Sequence, residues 1–226
     1  MALDTELVDV TPMRAAIARR MQASKQEAPH FYVSAELRMD AAMELAEELN
    51  RESGDGTRVS LSAVLVHACA RALRKHPRFN AVWTSDGLAL VEQVNVSVAV
   101  ALDGGLVAPA VLKAEELDVR RTAEALSELV GRARAGKLRG AEMTEGTFTV
   151  SNLGMFDVSS FAAIVTPPQV AVLATGKVEK RALWDGTAFV PASMLTATLS
   201  SDHRAVDGAD AARFLATVQE LLEAGS

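Results

Sequence analysis

The sequence predicts an α/β (α+β) fold, a mixed sheet with helices packed against it. Three observations point there. Strand-like apolar runs lie in adjacent pairs and do not alternate one-to-one with helices, which argues against a doubly wound parallel sheet. Between the pairs stand helical segments with an apolar face or an apolar body. No proline-, glycine- or serine-rich linker and no internal repeat divides the 226 residues, so 1–226 is read as one domain.

The elements follow in order. Thr11-Pro12 before MRAAIARRMQASK is read as an N-cap, a first-turn proline and a helix with Met13, Ile17 and Met21 on one face. Pro29 stops helical structure, and Phe31–Met39 reads as a strand. Asp40–Asn50 is a helix ended by the Ser53-Gly54-Asp55-Gly56 turn. Ser60–Lys75 is nearly all apolar, hence a buried helix, and Pro77 ends it. Short strands come next: Ala81–Ser85, a turn at Asp86-Gly87, Leu88–Val91, then Asn95–Leu102. Asp103-Gly104-Gly105 turns the chain into Leu106–Leu112, a hairpin partner. Asp118–Ala135 is a helix capped by Asp118, and Gly136–Gly146 a polar connection. Strands at Thr147–Ser151, Val170–Thr175, Lys177–Leu183, Ala188–Val190 and Met194–Ser200 precede a closing helix over Ala209–Glu223.

Composition excludes several functions. Apolar residues are 49%, enough for a sizeable core, and 23 basic against 29 acidic side chains give a charge of −6. That balance argues against tracking a phosphate backbone, so no nucleic-acid partner is expected. A single cysteine, Cys69, leaves no intrachain disulfide and no thiolate cluster, and no histidine pair has metal-ligand spacing. No metal is therefore expected, and a reducing compartment is. No signal peptide or membrane run is visible, which makes the cytoplasm the default, or an organelle matrix if a longer precursor was cut.

Two segments could carry chemistry. Ser200-Ser201-Asp202-His203-Arg204-Ala205-Val206-Asp207-Gly208 follows an apolar strand and precedes a helix, a place where sites are often built. His203 there could act as a general base near neutral pH. On spacing alone the pattern is weak, because Asp207 could simply cap the last helix with Asp210 in support. Thr147-Phe148-Thr149-Val150-Ser151-Asn152-Leu153-Gly154 sets hydroxyl and amide groups at a strand end, although ordinary turn chemistry would do the same. The other histidines read as structural: His67 in the buried helix, His76 at a helix end, His30 at a strand start with its role open. Cys69 reads as packing, not as a nucleophile.

Taken together, the two segments resemble, in order and spacing, the catalytic domain of the dihydrolipoamide acyltransferases, the core component of 2-oxoacid dehydrogenase complexes. The resemblance covers nearly the whole chain. It is most specific in GTFTVSNLGMFDVSSFAAIVTPPQVAVLATGKV and LSSDHRAVDGADAARFL, and extends to RAAIARRMQASKQEAPHFYVSAEL, SLSAVLVHACARALRKHPRFNA and VSVAVALDGGLVAPAV. It implies a chloramphenicol-acetyltransferase-like two-layer sandwich. It also implies acyl transfer between the thiols of dihydrolipoamide and coenzyme A. His203 matches the family's base, Ser151 its oxyanion donor and Asp207 the acid of HxxxDG. Asp207 is expected to hold the site loop through hydrogen bonds or an arginine, Arg14 or Arg204.

Coenzyme A contacts carry over to Ser60, Ser151, Asn152, Gly176 and Val178. An arginine frequent in the family aligns with Ala46, with Arg51 nearby as a substitute, and Asp157 stands where many relatives have glycine. The SNLGMF and AAIVTPPQVAVLATG stretches look most like acetyl-transferring members. Branched-chain or succinyl transfer by the same mechanism, and an idle scaffold organising partner enzymes, are the alternatives. No lipoyl or subunit-binding domain is read in the chain, so a lipoyl group presented by a domain outside it is implied. The decarboxylase and dihydrolipoamide dehydrogenase components are the implied partners. Family members are trimers with the site between subunits. The ending QELLEAGS lacks the apolar tail that builds larger cores, so a homotrimer of about three times 24 kDa is expected here.

Overall fold

In the computed structural model, residues 6, 8–53, 56–102 and 105–225 are described. The chain runs α1 (Pro12–Glu27), β1 (His30–Arg38), α2 (Asp40–Ser53), α3 (Leu61–Lys75), β2 (Ala81–Thr84), β3 (Gly87–Leu90), β4 (Val96–Val98) and β5 (Val100–Leu102). It continues with β6 (Gly105–Val107), β7 (Ala110–Val111), α4 (Val119–Arg134), α5 (Gly140–Thr144), β8 (Phe148–Asn152), β9 (Ala171–Trp184), β10 (Phe189–Asp202) and α6 (Gly208–Glu223). The expected turns at 53–56 and 103–105 fall partly on Gly54, Asp55, Asp103 and Gly104, outside the described residues.

Six strands make one sheet in the order β1-β10-β9-β8-β4-β7, and β2–β3 and β5–β6 form separate hairpins. Within the sheet β8 lies parallel to both β4 and β9, while the other neighbours are antiparallel. The sheet is mixed, as the paired strands in the sequence predict.

Strand alternation sorts the two faces. The registered row Val98, Val150, Leu173, Leu199, Val33 turns toward the helices and joins the hydrophobic core. Nearly every residue of α3 from Ala63 to Leu73 is buried there. Phe214 of α6 packs between Phe79 and Phe148, with ring centroids 4.8 and 5.6 Å away. Burial of such a ring contributes about 2–3 kcal/mol. The alternate rows are Ser97, Thr149, Val172, Ser200 and Ser151, Ala174, Thr198, Ser34, which face away from the helices and are rich in hydroxyls. The stretch 157–169 crosses this second face. Thr149 Oγ1 donates to Gln169 Oε1 at 2.6 Å, and the amide of Lys177 donates to the Val158 carbonyl at 2.8 Å.

Helix α1 pins that crossing stretch. Ser24 Oγ, fully buried, donates to the Val165 carbonyl at 2.6 Å, and Arg20 reaches the Pro167 carbonyl at 2.6 Å. His30 Nδ1 lies 2.8 Å from the Ala28 carbonyl, while Nε2 accepts the Val165 amide at 3.0 Å. Those two partners fix one neutral tautomer, a proton on Nδ1 and a lone pair on Nε2. This settles the role of His30: it ties the start of β1 to the crossing stretch.

Element boundaries shift by one to three residues at several ends, and five differences go further. Gly176 does not end a strand; β9 runs through it with a bulge, Thr175 facing Ala197 but Val178 facing Leu195. Pro191 does not interrupt β10, because β1 reaches only to Met194 and leaves that stretch an edge needing no further donor. Asn95–Leu102 divides at Ala99, because β4 pairs within the main sheet and β5 pairs with β6. Pro109, which has no N–H, divides Leu106–Leu112. The polar connection 136–146 contains the short helix α5, held to α4 by Glu142 on Arg132 at 2.7 Å. Among the described residues, no helix is long and apolar enough to cross a membrane.

Candidate active site

His203 is the first residue past β10, and its side chain is exposed. Backbone contacts fix it from both sides. Its own amide donates to the Pro29 carbonyl at 3.0 Å, and the amides of Ala205 and Val206 donate to the Asp202 carbonyl at 3.0 and 3.3 Å. The imidazole packs on Phe31 of β1, ring centroids 4.7 Å apart and tilted by 52°. It opens into a shallow cavity of about 190 Å³ shared with Arg78, Arg204, Asp207 and Asp210. Among the described residues neither ring nitrogen has a hydrogen-bond partner, so both are available to a ligand. A base needs that geometry first.

Sequence reasoning offered Arg204 to Asp207 and gave Asp202 no role. Asp202 is only 2% exposed, and its carboxylate is bound by Arg204 Nε at 3.0 Å, by Arg204 Nη2 at 2.7 Å and by the Arg204 amide at 2.9 Å. That pair accounts for the raised pKa of Arg204. The guanidinium also lies over the Trp83 ring, 4.4 Å from its centroid. A signal was present in the sequence: opposite charges two apart at a strand end point the same way and can pair around the residue between them.

Of the two holds expected for Asp207, hydrogen bonds or an arginine, the described residues show hydrogen bonds. Its Oδ1 accepts the amide of Asp210 at 2.9 Å, and Asp210 Oδ2 accepts the amide of Asp207 at 3.3 Å, a reciprocal cap on α6. Arg204 is held by Asp202 instead, and among the described residues no ion pair reaches Asp207. Arg14 lies on α1, where its amide is capped by Thr11.

The coenzyme-contact candidates gather at another part of the sheet. Ser151 and Asn152 end β8 in register with Ala174 and Thr175 of β9, next to Gly176. Asn152 Oδ1 accepts the amide of Gly154 at 2.7 Å, and its Nδ2 donates to Ser62 Oγ at 3.3 Å. This joins β8 to the start of α3, where Ser60 is the N-cap and accepts the Ala63 amide at 3.3 Å. Val178 packs on the core two residues beyond Gly176. Ser151 itself is half-buried on the hydroxyl-rich face. Following the register from Ser151 through Ala174 to Thr198, and along β10 to its end, separates Ser151 from His203 by on the order of 20 Å. One chain does not bring the two together.

The remaining candidates are structural. Cys69 is fully buried, and burial pushes its thiol up to about 12. Burial also lowers His67 and His76; His76 Nε2 lies 2.8 Å from Thr217 Oγ1, holding α3 to α6 as a neutral ring. Ala46 faces the core, whereas Arg51 is exposed near the end of α2. Asp157 adopts φ 59°, the left-handed region that favours glycine, and its carboxylate holds Lys177 Nζ at 2.8 Å. A larger cavity of about 400 Å³ lies between β3 and the start of β8. Its buried polar groups, Asn95 and Thr147, already spend their hydrogen bonds within the protein.

The geometry has counterparts. A family model described as 2-oxoacid dehydrogenases acyltransferase (catalytic domain) matches residues 2–225. The dihydrolipoyllysine-residue acetyltransferase component of the pyruvate dehydrogenase complex of Rickettsia felis is 37% identical over 219 residues, 96% of this chain and 53% of that protein. The chain thus spans about half the length of the curated relatives it matches. A probable dihydrolipoamide acetyltransferase from Listeria monocytogenes superposes with a TM-score of 0.93 at 31% identity, covering 100% of this chain and 97% of that one. The dihydrolipoamide acetyltransferase of Azotobacter vinelandii, studied for the catalytic roles of a serine, a histidine and an asparagine, gives 0.93 at 29%, covering 97% and 92%. A chloramphenicol acetyltransferase, at 13% identity and a TM-score of 0.62, shares the fold. The expected sandwich is therefore the observed one, and the chain belongs to the acyltransferase family of the 2-oxoacid dehydrogenases, through the catalytic domain.

Proposed function

We propose that the protein transfers an acyl group, acetyl in preference to branched-chain or succinyl groups, between dihydrolipoamide and coenzyme A. One observation carries the reading. The serine, histidine and asparagine studied in the Azotobacter enzyme are spaced as Ser151, His203 and Asp207 are here, on a fold that superposes over nearly the whole chain. Asp207 replaces the asparagine, and both residue types cap a helix equally well.

The roles follow from the chemistry. A free thiol has a pKa of about 8.5, so at neutral pH little of it is thiolate. His203, exposed with both nitrogens available, takes the proton of the attacking thiol as the S–C bond forms. Ser151 donates its hydroxyl to the oxyanion of the tetrahedral intermediate, worth roughly 3 kcal/mol in comparable sites. As the C–S bond to the other thiol breaks, His203 returns the proton. Asp207 holds the start of α6 and takes no proton. Ser60, Asn152, Gly176 and Val178 line the coenzyme A side.

Because Ser151 and His203 lie so far apart in one chain, the site is assembled between chains, which supports a homotrimer. The lipoyl group comes from a lipoyl domain outside this chain, within a complex that also holds the decarboxylase and dihydrolipoamide dehydrogenase components. An assay of acetyl transfer from acetyl-dihydrolipoamide to coenzyme A tests the reading. His203→Ala should lower kcat by about a hundredfold or more, with coenzyme A binding little changed. Near-normal turnover in that variant would make His203 structural and overturn the mechanism.

A further inference from the structure

We infer that Asp202, Arg204 and Trp83 form a positioning unit for His203, with Arg204 as its centre. The inference rests on the reading of His203 as the base. Three observations carry it. The buried Asp202 carboxylate holds Arg204 through two guanidinium nitrogens and the backbone amide, closing a short ring around the residue between them. The guanidinium stacks on Trp83, which belongs to a different element, the β2–β3 hairpin. That hairpin is itself fixed, because the Trp83 amide donates to the Pro168 carbonyl at 2.8 Å and Val82 bridges to Gln169.

Each part does something to His203. The 202–204 ring sets the backbone from which the imidazole projects, so the ring meets Phe31 and the open cavity. The Trp83 stack stops Arg204 from swinging into that cavity, which it also lines. The Asp202 charge offsets the cation beside the base. A lone guanidinium would disfavour the imidazolium that must form in each half of the transfer. A bidentate carboxylate and an aromatic face are both needed for this, and lysine supplies neither geometry. The other charged or titratable groups facing this corner are Arg78, Asp207 and Asp210 in the cavity, Glu27 near Arg204, and His30 opposite Asp202.

The test uses the purified protein and acetyl transfer to coenzyme A, with His203→Ala beside Arg204→Lys, Arg204→Gln, Trp83→Phe and Trp83→Leu. Arg204→Gln and Trp83→Leu should lower kcat about tenfold with KM for both thiols within twofold. Trp83→Phe should recover most of the loss, and Arg204→Lys little of it. Asp202→Asn, in those preparations that remain folded by circular dichroism, should move the acid limb of the kcat–pH profile to lower pH. If His203→Ala abolishes turnover while Arg204→Gln and Trp83→Leu keep wild-type kcat and pH profile, the positioning unit is wrong and the base assignment stands. If Arg204→Gln instead raises KM for coenzyme A alone, Arg204 is a binding residue and the inference is overturned. Full turnover in His203→Ala would remove the proposed function itself.

Discussion

Ser151 and His203 are carried by strands of one sheet yet stand on the order of 20 Å apart, one near the end of β8 and the other in the turn just beyond β10. The proton transfer and oxyanion stabilisation proposed for them require both within about 3 Å of the same reacting atoms. A site made by two copies satisfies this, and it can be tested by mixing. Ser151→Ala and His203→Ala chains, each nearly inactive alone, should regain activity when unfolded together and reassembled. Random mixing in a cyclic trimer leaves about a quarter of the sites with an intact serine and an intact histidine. A mixture no more active than its parents would show that each chain carries its own site.

Asp207 makes a separate prediction, because its carboxylate is spent on the α6 cap. Asp207→Ala should lower stability by about 1 kcal/mol, read from urea unfolding, whereas Asp207→Asn should lie within a few tenths of the wild type. Turnover of the Asn variant should remain near normal. A stable Asn variant with kcat down a hundredfold would require a direct part for the carboxylate in the reaction.

The buried histidines set a pH dependence. His67 is lowered by burial and by Arg71, and His76 by burial and by Arg213. The unfolded chain therefore takes up protons near pH 6.5 that the folded chain refuses until lower pH. Stability from these groups is full above that range and declines as pH falls through 6.5 toward the folded values. Urea unfolding at pH 7.5 and pH 5.5 should show the loss. His76→Gln, whose amide can still meet Thr217, should show a smaller one. Equal loss in the variant would assign the effect to other groups.

Much of this was legible in the sequence, for identifiable reasons. Apolar alternation and proline stops marked nearly every strand and helix, and HxxxDG marked the His203 loop. What was hidden depends on partners distant in sequence. Nothing local to Trp83 announces Arg204, and nothing local to His30 announces the Val165 amide it accepts. The gap read between Val190 and Met194 is continuous strand through Pro191, and whether that stretch of β10 is an edge depends on where β1 ends. Asp207 was readable as a cap from its spacing to Asp210, whereas Arg204, offered as its other hold, is taken by the Asp202 carboxylate two residues away.

Gly176 gives the sharpest test of how the crossing stretch is built. A Cβ there would lie 1.9 Å from the Ser159 carbonyl oxygen and 2.8 Å from that of Val158, both backbone atoms with no side-chain rotamer to yield. The bulge in β9 falls at this point, and the adjacent Lys177 amide holds the Val158 carbonyl. Any added side chain must therefore push 158–159 off the sheet and strain the turn at Asp157 behind it. Gly176→Ala should cost about 1–3 kcal/mol or more, by the usual scale of overpacking. It should also impair acetyl transfer, since Asn152 and Ser151 lie alongside. Gly131, inside α4 with nothing near its absent Cβ, is the control. Gly131→Ala should gain about 0.5–1 kcal/mol through helix propensity and a less disordered unfolded chain. Should both variants unfold at the same urea concentration, the close approach of Ser159 to Gly176 does not exist in solution.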